Sequence, residues 1–169
     1  MAILPIRLIP DPVLRVECPE VTEFDAPFQQ LVRDMVDTMY AAPGVGLAAP
    51  QVGVEARVFV VDVSVGKEEG ALKVFVNPRI VEEEGRELDF EGCLSIPDLS
   101  EKVTRPRRIV VEAQDEHGEP FTLETDDFEA RAVCHELDHL NGVLFIDHLR
   151  GLRRDKVRRK LRKAGLVGS

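Results

Sequence analysis

Asp126-Asp127-Phe128-Glu129-Ala130-Arg131-Ala132-Val133-Cys134-His135-Glu136-Leu137-Asp138-His139-Leu140-Asn141-Gly142 is the stretch from which the rest of the chain is read. Residues 127–141 are predicted to form a helix, with Asp126 as N-cap and Gly142 where a helix-ending glycine is expected. Within it, His135-Glu136-Leu137-Asp138-His139 is H-E-x-x-H. Side chains four residues apart lie one turn above each other, so both imidazoles can converge on one ion. Glu136 sits about 100° round the helix, near enough to reach a water on that ion without ligating it. Val133 and Leu140 flank the motif as core anchors. Histidines falling by chance on a solvated helix are the competing reading, and the helical context disfavours it.

Two histidines are one ligand short, because a catalytic ion usually keeps three protein ligands and one open position. Downstream, His148 lies beyond Gly142 and could serve only if the chain doubled back. Upstream, Glu91-Gly92-Cys93-Leu94-Ser95-Ile96-Pro97 sets a cysteine after a glycine in a turning segment, suited to presenting a thiolate and nearby backbone N–H groups. A structural cysteine is the bland alternative; beside an incomplete metal site, the ligand reading of Cys93 gains. The other cysteines, Cys18 and Cys134, make the total odd and widely spaced, which argues against a disulfide framework and for a reducing compartment. Cys134 points to a different helix face from His135 and is expected to take no ligand role.

The remaining elements are read outward from this helix. Residues 26–41 carry Phe28, Leu31, Val32, Met35, Val36 and Met39 on one helical stripe, with Asp25 as N-cap and Pro27 in the first turn. Pro43-Gly44-Val45-Gly46-Leu47-Ala48-Ala49-Pro50-Gln51 is expected to be an irregular, constrained loop. Strands are expected at Arg57–Val63, Leu72–Asn77, Arg79–Glu82, Arg108–Ala113 and Phe121–Thr125, with a hairpin turn at Glu116-His117-Gly118-Glu119. A third helix over 152–164 shows a thin stripe of Leu152, Val157, Leu161 and Ala164. The sum is an α+β fold, mostly antiparallel strands packed around a central helix carrying H-E-x-x-H, with a C-terminal helix.

At 169 residues, 44% of them hydrophobic, the chain suits one domain and is not disordered. Residues 1–150 are expected to form the catalytic domain, and 151–169 its basic C-terminal helix and tail. No apolar run reaches the roughly 18–20 residues of a membrane span. The opening is broken by Pro5, Pro10 and Pro12 and lacks a basic n-region and a small-residue cleavage site, so it is not expected to act as a signal peptide, and a cytoplasmic location is expected. The net charge of −9 is unevenly spread: residues 150–163 hold nine basic and one acidic residue. Contact with nucleic acid, if made, belongs to that tail.

Gly44-Val45-Gly46-Leu47-Ala48-Ala49-Pro50-Gln51, Glu91-Gly92-Cys93-Leu94-Ser95 and His135-Glu136-Leu137-Asp138-His139 together resemble the three signature motifs of peptide deformylases, in the family's order and at similar intervals. The resemblance extends from Ile9-Pro10-Asp11 to the last helix. It implies hydrolysis of the N-formyl group of N-formylmethionyl nascent chains, releasing formate. It further implies Cys93, His135 and His139 as ligands of one divalent ion, Fe2+ by family habit, although Zn2+, Ni2+ and Co2+ suit such ligands equally. Glu136 becomes the general acid–base, Gln51 and the Leu94 N–H the oxyanion donors, and Gly46 a contact to the substrate backbone. Docking of the basic helix on the ribosome is implied as well. One departure is Cys134, where many relatives carry Gln.

The chemistry of the residues agrees with these roles. A divalent ion lowers the pKa of bound water toward neutrality, and a neighbouring carboxylate can take the proton and return it to a leaving amine. A tetrahedral oxyanion needs fixed donors. The methionine side chain needs an apolar pocket, for which Val45, Phe128, Ala132 and the face of His135 are candidates, though all could be ordinary core residues. Glu91 and Arg105 are expected to support a ligating histidine, with a surface ion pair as alternative. Asp138 is expected to point roughly away from the metal side and to cap or pair on the helix surface. A zinc endopeptidase and a non-catalytic, translation-associated metal module are the competing functions. A nucleotide-binding reading of 44–51 is weak, because no Lys-Ser/Thr follows the glycines.

Overall fold

The computed structural model describes residues 2–166 as two antiparallel sheets and three α-helices. The first helix, α1 (Ala26–Ala41), begins where Asp25 accepts a hydrogen bond from the Phe28 N–H, with Pro27 in the first turn. It buries Phe28, Val32, Met35 and Met39 against Leu47, Val58, Val60 and Val76. The expected irregular loop after it holds a short strand, β1 (Gly46–Ala48), paired with β2 (Val58–Val61). A 3-10 turn over Ala49–Val52 follows β1.

The strands expected at Leu72–Asn77 and Arg79–Glu82 are one strand, β3 (Lys73–Glu84), with register shifts between Val76 and Arg79 and between Ile80 and Glu82. Pro78 has no N–H to donate, and the bulge absorbs that loss instead of ending the strand. Asn77 sits there at φ +51, its side chain bonded to both the N–H and the carbonyl of Val21.

An entire hairpin went unforeseen: β4 (Glu87–Cys93) pairs with β5 (Ile96–Arg105) as a separate two-stranded sheet. Its first strand, Glu-Leu-Asp-Phe-Glu-Gly-Cys, exposes residues 87–90, so no hydrophobic run advertises it. The larger sheet is completed by β6 (Arg108–Gln114) and β7 (Pro120–Asp126), in the order β1-β2-β3-β6-β7. The Asp115–Glu119 turn joins β6 to β7 as expected.

The metal-motif helix, α2 (Asp127–Leu140), lies between the two sheets. Ala130, Val133, Leu137 and Leu140 recur on one face and pack on Phe59, Val61, Phe75, Ile109 and Val111 of the large sheet. Asp126 holds the N-cap position but makes no capping hydrogen bond, since Asp127 enters the helix at φ +52. The turn is closed instead by the Asp127 N–H to the Arg107 carbonyl and by the Thr125 hydroxyl to Glu129. Gly142 at φ +74 follows the helix, and a Cβ there would stand 2.5 Å from the Arg15 carbonyl oxygen.

The last helix, α3 (Gly151–Lys163), buries Val157 and Leu161 into a cluster with Leu14, Ile96, Leu99, Leu144 and Phe145. Leu152, expected on that stripe, is 85% exposed. Residues 167–169 of the predicted tail lie outside the described residues. No described helix is long and apolar enough to cross a membrane.

Candidate metal centre

Both faces of α2 are committed, one to the large sheet and the other to the hairpin. On the hairpin side stand Arg131, His135 and His139, one turn apart in succession, as the helical repeat requires. The hairpin brings Cys93, the last residue of β4, to meet them. The Cys93 Sγ lies 3.4 Å from the His139 Nε2, which lies 3.3 Å from the His135 Nε2. One ligand atom from each of these three residues falls within 4.8 Å of the other two. A thiolate and two imidazole nitrogens so disposed suit a first-row divalent ion with room for a fourth ligand. His148 is not in this group; its Nε2 bonds Asp138 at 2.8 Å.

The orientation of His135 is fixed from behind. Its Nδ1 meets a Glu91 oxygen at 2.9 Å, which leaves Nε2 for the site. Glu91 is buried and is held by Arg105, whose Nε and Nη2 approach its two oxygens at 2.7 and 2.9 Å. Burial alone would raise the Glu91 pKa, but the hydrogen bonds and charges of Arg105 and His135 overcome it and bring it down to about 2. The surface-pair alternative is thereby excluded. Asp138 joins the same network, accepting from the Arg105 Nη1 at 2.6 Å, so the partner of this residue is a buried arginine.

Burial opposes charge on His135, yet its hydrogen bonds to Cys93 and Glu91 prevail and its pKa rises well above the ordinary histidine value. Burial and the neighbouring His135 charge lower that of His139 well below it. Glu136 is 4% exposed, and its Oε1 has no hydrogen-bond partner among the described residues. Burial raises its pKa to about 7, against the pull of His135. A carboxyl group that titrates near neutrality is suited to exchange protons. Gly46 lets it sit there: a Cβ on Gly46 would come within 2.7 Å of the Glu136 Oε2.

Gln51 is fully enclosed, and its carboxamide has only one sensible orientation. Its Oε1 accepts the Ala48 N–H at 3.0 Å, so the NH2 group faces Ser95 Oγ at 3.1 Å and Cys93 Sγ at 3.6 Å. Leu94 follows Cys93 in the turn between β4 and β5.

A cleft of about 390 Å³ opens onto these groups. Val45, Gly46 and Ala132 line it together with Gln51, Cys93, Leu94, His135 and Glu136. Phe128 also borders it but is 54% exposed, which makes it part of the rim more than the floor. Arg131, buried beneath the cleft, was missed in the sequence. A charged residue inside the apolar Ala130-Arg131-Ala132-Val133 run, one turn before His135, is the signal that could have found it.

The model of the polypeptide deformylase family matches residues 3–155. The peptide deformylase of Acidobacterium capsulatum is 45% identical over 168 residues, covering 99% of each chain. That of Xylella fastidiosa strain M12 is 50% identical over 166 residues, covering 96% of each. The crystal structure of a peptide deformylase from Legionella pneumophila superposes with a TM-score of 0.90 at 44% identity, covering 97% of this chain and 96% of that one. A peptide deformylase from Synechococcus elongatus, solved in complex with actinonin, gives 0.91 at 39% identity over 97% of this chain and 89% of its own. With a family model spanning nine-tenths of the sequence and relatives alike from end to end, the chain belongs to the polypeptide deformylase family.

Proposed function

We propose that this deformylase, a metal-dependent hydrolase that removes the formyl group from nascent polypeptides, binds its ion through Cys93, His135 and His139 and uses Glu136 to move the proton. The observation that carries this reading is the meeting of those three ligand atoms beside a buried carboxyl group whose Oε1 has no hydrogen-bond partner among the described residues. A divalent ion held there supplies Lewis acidity, acidifying water and polarising the formyl carbonyl.

The rest is done by the chain itself. Glu136 accepts the proton of the attacking water and delivers it to the departing amine, roles suited to a pKa of about 7. The Gln51 NH2 group, locked by Ala48 and Ser95, and the Leu94 N–H face the oxygen that becomes negative; each such donor is worth about 3 kcal/mol of barrier. Gly46 meets the peptide backbone, while Val45, Ala132 and the His135 ring receive the methionine side chain of an N-formylmethionyl substrate and Phe128 covers it from the rim. We assign Fe2+ as the resident ion on the family resemblance.

The basic α3 is read as a ribosome-docking element, and the protein as cytoplasmic, where formylated chains emerge. Val157 and Leu161 secure α3 to the body while its arginines and lysines stay exposed, which suits a charged face offered to phosphates.

Glu136→Ala decides the mechanism. It is expected to retain the bound ion while formate release from a formyl-methionyl peptide falls by at least about a hundredfold. Full activity in a metal-loaded Glu136→Ala protein would end it. Cys93→Ala should lose the ion as well as the activity.

A further inference from the structure

We propose that Arg131 is a positioning residue that sets the distance between the cysteine-bearing hairpin and the histidine-bearing helix, and so tunes metal affinity. The inference rests on the metal-site reading of Cys93, His135 and His139. Burial and contact geometry carry it. The Arg131 guanidinium is buried, and it reaches the hairpin at four places. Its Nη1 approaches Glu91 Oε2 at 2.9 Å, the Val103 carbonyl at 2.8 Å and the Asp89 carbonyl at 3.4 Å, while its Nη2 donates to the Glu87 carbonyl at 2.8 Å.

Neutralising Glu91 does not require this residue, because Arg105 already engages both carboxylate oxygens and His135 takes one. Most of its donors go instead to backbone carbonyls of both hairpin strands. Hydrophobic burial cannot fix the outer part of β4, since residues 87–90 are exposed. The planar guanidinium holds its nitrogens in one fixed geometry, Nη1 toward the Val103 and Asp89 carbonyls on opposite strands and Nη2 toward Glu87, which a lysine ammonium on its flexible stem does not reproduce. Arg131 also stands one helical turn from His135. A change at Arg131 therefore shifts Cys93 relative to the two imidazoles without touching any of the three.

The test compares wild type, Arg131→Met, Arg131→Lys and Cys93→Ser, each freed of metal and titrated with Co2+ against a chelator. Affinity and the thiolate-to-cobalt absorption band are read together with the unfolding temperature of the metal-free protein. Arg131→Met is expected to lose about 10–100-fold in Co2+ affinity, with a displaced band, and Arg131→Lys to recover only part of it. A lower unfolding temperature with wild-type affinity and an unmoved band would make Arg131 merely structural and overturn the proposal. Should Arg131→Met fail to fold, wild-type affinity in Arg131→Lys overturns it equally. A band that survives in Cys93→Ser would instead sink the metal-site reading beneath it.

Discussion

At the scale of single residues, Gly46 and Glu136 are a matched pair. The carboxyl group occupies space that any larger side chain at position 46 would claim, 2.7 Å from where a Cβ would be. Gly46 does not have positive φ, so the requirement is close approach rather than backbone freedom. Gly46→Ala should displace Glu136 and lower kcat about 10- to 100-fold, with metal content unchanged, as judged by formate release and metal analysis on one sample. Unaltered kcat would show that the carboxyl group has slack. Gln51 makes the same point about orientation: one backbone N–H on its oxygen decides which way its donors face. The motifs named these residues, but their distances depend on neighbours dozens of positions away.

At the scale of elements, the β4–β5 hairpin and α2 are joined by buried charge instead of apolar surface. Glu91 lies on the hairpin, His135 and Arg131 on the helix, and Arg105 at the far end of β5. A carboxylate with its pKa depressed to about 2 from an unfolded value near 4.5 stabilises the fold above pH 4.5, and loses that contribution as pH falls through 2. The shift corresponds to about 3 kcal/mol. In protein held metal-free by chelator, Glu91→Gln should be destabilised near neutrality, with the gap to wild type closing as pH drops from 4.5 to 2. Guanidinium unfolding across that range measures it; a constant gap would refute the coupling. The same interface explains why the hairpin escaped notice in the sequence. Strand signals are hydrophobic, and β4 is held by ion pairs and carbonyl contacts, which leave no periodic pattern.

At the scale of the whole molecule, charge is segregated. The body is strongly acidic and α3 strongly basic, with Arg153 only 4.0 Å from Glu101 as a link between them. Deleting residues 151–169 would strip Val157 and Leu161 from the core, so it would confound docking with stability. Replacing the exposed Arg158, Arg159, Arg162 and Lys163 by Ser is the cleaner change. It should weaken ribosome binding and flatten its salt dependence, while turnover of a short formyl peptide is unaffected; unchanged binding across salt concentrations would refute docking through α3. The α+β class, the three helices, most strands of the large sheet and the three motifs that meet at the candidate site were legible in the linear chain, because helical and strand periodicity and residue chemistry are local properties. The merging of two predicted strands through a bulge at Pro78, the polar hairpin, the part played by Asp138 and the whole role of Arg131 were decided only by tertiary structure. Those features consist of contacts between residues far apart in sequence, and their energy comes from burying paired charges that, taken one at a time, look like ordinary surface residues.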